Sequence, residues 1–74
     1  MVYSIQSRTG HRYLGNSNPQ GDKEVHDLAG EKPQCQVDEI VSKRHAVGFT
    51  PDTLPEARRN GFDNCAWCIG GSTR

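Results

Sequence analysis

Cys65 and Cys68 stand two residues apart in the run GFDNCAWCIGG, and Cys35 is the only other thiol of the chain. A Cys-x-x-Cys pair can run thiol–disulfide chemistry, belong to a disulfide framework, or supply one edge of a metal site. An odd number of cysteines leaves one thiol over in any closed disulfide framework. A redox pair of the thioredoxin kind opens a helix after a strand. Here the pair follows a helical pattern instead. Zinc wants four nitrogen or sulfur ligands in a tetrahedron. Three thiols plus one further donor satisfy that count, so a Zn2+ site is the expected chemistry. The two-residue spacing folds into a knuckle that points both sulfurs inward, and Gly70 and Gly71 just beyond it permit a tight backbone.

The fourth ligand must come from His11, His26, His45, an acid or water. His26 is the first candidate, at the end of an expected strand and nearest before the loop that delivers Cys35. His45 sits beside Lys43 and Arg44, where two positive charges disfavour another cation. It also follows a helix whose exposed face carries it outward. His11 belongs to an early loop. The expected metal set is therefore His26, Cys35, Cys65 and Cys68. His11 and His45 read as surface or hydrogen-bonded histidines.

Such a site has a task in a chain this short. The 74 residues form one domain, and only 32% of them are hydrophobic. Below about 70–80 residues a core alone rarely supplies more than about 3–5 kcal/mol, and small domains need a staple. No apolar run approaches the roughly 20 residues that span a membrane, and the start of the chain lacks a signal-like apolar stretch. A soluble cytoplasmic protein is expected, where disulfides are rare. Formal net charge is zero, whereas a protein that binds nucleic acid by charge alone is basic. Short basic runs occur at Lys43–Arg44–His45 and Arg58–Arg59; the ordinary reading of such runs is a solvated face.

The elements that position these groups can be read in outline. MVYSIQS and HRYLGNS alternate as short strands, and EVHDL reads as a third. NSNPQGDKE is a turn region, and AGEKPQC a loop. VDEIVSKR places Val37, Ile40 and Val41 on one stripe of a short helix, and AVGF is a short apolar strand. In TPDTLPEARRNGF a cap at Thr53 keeps Pro55 inside the first turn, where its missing N–H costs nothing. The same cap sets Glu56 three residues on as a capping box. A cap at Thr50 would push Pro55 past that turn. The helix is expected from Leu54 to Asn60, with Gly61 closing it in the left-handed conformation. The fold class that follows is α+β, a small zinc-stapled domain with a short sheet and two short helices.

The run YLGNSN…VHDL…C…GFTPDTLPEARRNGFDNCAWC resembles the Ada-type metal-binding domain, the zinc module of the bacterial methylphosphotriester repair protein and of small relatives attached to nucleases. The family pattern is a strand with a Gly-Asn-type turn, a first ligand pair, an aromatic after a short strand, a helix with Glu-Ala and Gly-aromatic, and a closing Cys-x-x-Cys. Tyr13, Gly15, Asn16, His26, Cys35, Phe49, Glu56, Ala57, Gly61, Phe62, Cys65 and Cys68 match it. In the repair protein the first ligand pair is two cysteines, the first of which accepts the methyl group. Here His26 stands at that position, as histidine does in some small relatives, and the gap DLAGEKPQ before Cys35 is longer than the family spacing.

Methyl transfer needs an electron-rich thiolate. Four thiolates on Zn2+ give a site of charge −2; three thiolates and a neutral imidazole give −1, and His26 cannot take the methyl group. A closed site also offers no open position for water. The expectation is a structural-zinc binding module without catalytic activity, with nucleic acid or another protein as partner. The alternative is an Ada-like alkyl acceptor or a thiol redox protein. Arg58, Arg59, Lys43 and Arg44 are the cationic candidates for a contact face. Trp67 joins them if it is exposed rather than folded over the metal site.

Overall fold

The computed structural model describes residues 1–19, 21 and 23–70. Five strands form one sheet: β1 (Val2–Ser4), β2 (Tyr13–Asn16), β3 (Glu24–Asp27), β4 (Ala46–Phe49) and β5 (Asp63–Asn64). Their spatial order is β1-β4-β2-β3-β5. Neighbours are antiparallel except β5, which runs parallel to β3. Two α-helices, α1 (Val37–Ser42) and α2 (Leu54–Arg59), complete an α+β fold.

Alternation along the strands divides the core in two. Leu14 and Ala46 turn to one face, where they pack with Ile5, Cys35, Cys65 and the α1 residues Val37 and Ile40. Their neighbours Val25 and Val47 turn to the other, with Phe49, Phe62 and Ala57 of α2. The helices therefore cover opposite faces of the sheet. Phe49 and Phe62 meet edge to face, with ring centroids 5.1 Å apart. Gly15 lies in the β2 ladder opposite Val25, not in a turn. The reason for glycine is crowding: a Cβ there would stand 2.7–2.8 Å from Val47, Phe49 and Phe62.

Both helices end in Schellman motifs. In α2 the amide of Gly61 donates to the Arg58 carbonyl and that of Phe62 to Ala57, with Gly61 at φ +90° as expected. In α1 the Arg44 amide donates to Val41 and the His45 amide to Ile40, with Arg44 at φ +62°. An arginine in the left-handed position stops this helix at Ser42, two residues before the end of the helical pattern.

At the start of α2, Thr53 caps the helix, its Oγ1 accepting the Glu56 amide at 3.4 Å. The expected capping box is only half formed. The Thr53 amide donates to the Pro51 carbonyl, and the Glu56 carboxylate turns to the Met1 ammonium, Arg59 and Asn60. Glu56 is buried, and a buried carboxylate takes charged partners in preference to a backbone amide that is already bonded. The loop AGEKPQC is wound more tightly than expected, into two 3-10 turns at Leu28–Gly30 and Pro33–Cys35.

Candidate metal centre

Three segments converge below α1. His26 lies on β3 next to Val25; alternation turns Val25 to the α2 face and His26 to the α1 face. Cys35 ends the second 3-10 turn, whose start is fixed by Pro33. Cys65 follows β5, and its amide donates to the Val25 carbonyl at 2.9 Å, which continues the parallel ladder beside His26. Cys68 closes the knuckle. There the Cys65 carbonyl accepts the amides of Ile69 and Gly70 at 3.2 and 2.9 Å, with Gly70 at φ +83°. Gly71 lies outside the described residues.

The four side chains offer one donor atom each, and all four atoms lie within 4.8 Å of one another. The sulfurs of Cys35 and Cys65 are 3.7 Å apart, and Cys68 Sγ is 3.8 Å from His26 Nδ1. A disulfide needs about 2.05 Å, so these are free thiols. Two sulfurs at about 2.3 Å from a tetrahedral zinc lie about 3.8 Å from each other. These two separations are close to the edges of that tetrahedron.

The electrostatics point the same way. Burial pushes the His26 imidazole below its ordinary pKa against the opposing pull of Glu31, which keeps it neutral and able to ligate. Burial raises the Cys35 thiol and drives Cys68 up to about 12, with the Asp27 amide working against the shift at Cys68. That amide donates to Cys68 Sγ at 3.3 Å. Cys35 and Cys68, held in a low-dielectric site, resist ionisation alone; a divalent cation beside them reverses the balance. His26 Nε2 is buried without a hydrogen-bond partner among the described residues.

The structure brings together His26, Cys35, Cys65 and Cys68, and leaves His11 and His45 outside the group. His11 stands beside the Tyr3 ring, centroids 6.1 Å apart. The carbonyl of His45 accepts the Ser17 amide, and its own amide closes α1. The cationic candidates are dispersed. Lys43 and Arg44 follow α1 on one face of the sheet, whereas Arg58 and Arg59 sit on α2 against the other. Lys43 pairs with Glu39 at 3.0 Å, and Arg59 with Glu56 at 2.9 Å. Arg44 and Arg58 are exposed, and Trp67 is 59% exposed rather than folded over the cluster.

Three supporting residues escaped the sequence reading. The Asp27 amide donates to Cys68, and its carboxylate accepts the Ala29 amide, capping the turn that begins the Cys35 loop. A capping residue directly before Leu-Ala-Gly was the available signal. Arg8 reaches Glu31 at 2.6 Å and Asp38 at 3.4 Å, one on each side of Cys35. Asn64 Nδ2 donates to the Gly70 carbonyl at 3.1 Å and braces the knuckle. The last two contacts have no local signature. Compared with family models, with curated proteins and with solved structures, the chain matches none.

Proposed function

We propose that His26, Cys35, Cys65 and Cys68 hold one zinc ion as a structural staple, and that the chain is a binding module of the Ada type rather than an enzyme. The observation that carries the reading is the four-residue cluster, three of its members buried, with ligand atoms within 4.8 Å and a sulfur–sulfur edge of 3.7 Å. Soft thiolates with one imidazole select zinc over magnesium or calcium. Bound there, zinc supplies a cross-link between β3, the Cys35 loop and the knuckle. In zinc-finger peptides such a site contributes an apparent ~10–16 kcal/mol that becomes folding free energy.

The absence of catalysis rests on the donor set. His26 at the acceptor position cannot take a methyl group, and the set of four leaves no place for a reacting water. Native mass spectrometry is expected to show one Zn2+ per chain. Replacing a ligand should exceed the roughly 10–100-fold loss of metal affinity typical of outer-shell changes. His26→Ala should therefore weaken zinc binding by more than about 100-fold, and His45→Ala by little. Equal effects would overturn the assignment.

The partner class divides on Arg58 and Trp67. Their exposure supports contact with phosphate and with an unpaired base, since a base stacked on an aromatic is worth about 1–3 kcal/mol. The ion pairs at Lys43 and Arg59 and the zero net charge favour a protein partner instead. Titration with labelled single- and double-stranded oligonucleotides at low salt separates them. Binding that falls with salt and is lost in Arg58→Glu assigns nucleic acid; no binding at low salt assigns protein.

A further inference from the structure

We propose that Cys68 is a peroxide-sensing sulfur and that Cys65 captures the oxidised product as a disulfide, dismantling the metal-holding set. The inference rests on the zinc reading above. Burial sorts the four groups: His26, Cys35 and Cys65 are 3%, 4% and 2% exposed, while Cys68 is only part buried. It follows Ala66 and Trp67, both exposed at the tip of the knuckle. A small neutral oxidant therefore reaches this sulfur first. Oxidation follows thiolate character and access, and metal ligation supplies the thiolate. The N–H bond from Asp27 orients Cys68 Sγ.

A sensing cysteine also needs a resolving partner close by. Cys65 stands three residues earlier on the same knuckle, within the 4.8 Å cluster. Cys35 is equally part of the cluster, but only the tertiary fold brings it there, across 30 residues from Cys65. Once the set loosens, the two-residue loop keeps Cys65 within reach of Cys68, whereas closing the longer loop to Cys35 costs more chain entropy.

The chemistry balances with hydrogen peroxide as the oxidant. The Cys68 thiolate attacks peroxide; an S–O bond forms, the O–O bond breaks, and the departing hydroxide takes a proton to become water. The Cys65 thiolate then attacks the sulfenic sulfur; the S–S bond forms, the S–O bond breaks, and the second hydroxide leaves as water. Two thiolates, one peroxide and two protons give one disulfide and two waters. The sulfurs lose two electrons and peroxide gains them. His26 and Cys35 are then the only ligands left, too few for a structural zinc site.

The test uses the full zinc-loaded chain. Peroxide is added, zinc release is followed with a colorimetric chelator, and the products are digested with trypsin. Cleavage after Arg59 leaves Cys65 and Cys68 in one peptide and Cys35 in another. The expected result is loss of one zinc per chain, a peptide 60–74 lighter by two hydrogens, and a Cys35 that still accepts an alkylating agent. Dimedone added with the peroxide should mark Cys68 and not Cys35, and reductant with zinc should restore the original amide spectrum. Zinc and three thiols that survive peroxide, or a disulfide that includes Cys35, would overturn this proposal alone. A chain that takes up no zinc at all overturns the structural-zinc reading as well.

Discussion

Gly15 shows how much a single residue type can hide. The sequence marks it through the Gly-Asn pair, and the family resemblance reads that pair as a turn. In the structure Gly15 pairs with Val25 inside the sheet, and its missing side chain is the space into which Val47, Phe49 and Phe62 pack. The contacts a Cβ would meet at 2.7–2.8 Å are carbons of three core side chains rather than the ends of flexible ones. Overpacking of this kind costs about 1–3 kcal/mol. Gly15→Ala should destabilise the protein by that amount in chemical denaturation and split the edge-to-face contact of Phe49 with Phe62. A midpoint unchanged from the parent would show that the sheet yields instead. The candidate ligand residues were more legible than Gly15, because thiol and imidazole chemistry is carried by residue type. The spacing to Cys35 said only that a loop intervenes; that His26 rather than His45 faces the cysteines depends on strand alternation and on which helix covers which face.

At the scale of elements, helix stripes and stop signals carried over, whereas contacts between elements did not. Thr53, Pro55 and Gly61 fixed α2 because each acts through the local backbone. Val37, Ile40 and Val41 fixed α1 through their spacing. The end of α1 was misjudged since Lys43 and Arg44 are good helix formers, and nothing local announces an arginine at φ +62°. β5 escaped because two residues are too few to show a period; its pairing with β3 is tertiary. Arg44 offers a test. A non-glycine residue in the left-handed region is strained by roughly 1–2 kcal/mol, while glycine gives back part of that gain through the entropy of the unfolded chain. Arg44→Gly should therefore stabilise the protein by about 0.5–1 kcal/mol. Arg58→Gly, inside α2, should destabilise it by about 1 kcal/mol. Thermal unfolding of both variants checks the pair, and a stabilised Arg58→Gly would contradict the helix boundaries.

For the whole molecule the question is what holds two thin cores together. The sheet separates a cluster of Ile5, Leu14, Val37, Ile40 and Ala46 from one of Val25, Val47, Phe49, Ala57 and Phe62. Cys35 and Cys65 are members of the first, so these sulfurs are at once core and candidate ligands. No helix among the described residues is long and apolar enough to cross a membrane. A chain of this size buries only about 60% of the surface its unfolded form exposes. Fixing each residue costs about 1–2 kcal/mol of backbone entropy, which leaves little margin for a core this small. The candidate metal set joins β3, the Cys35 loop and the end of β5. β3 also carries Val25 into the second cluster, so loosening it affects both faces. Removing zinc is therefore expected to unfold the molecule as one unit rather than free α1 alone. Chelator added to the zinc-loaded protein should collapse the dispersion of amide resonances on both faces, at Leu14 and Ile40 as well as at Val47 and Phe62. Zinc returned under reducing conditions should bring them back together. Native dispersion that persists through chelation would show that the two clusters suffice without metal. Loss confined to Leu14 and Ile40 would show that the α2 face folds independently of the staple.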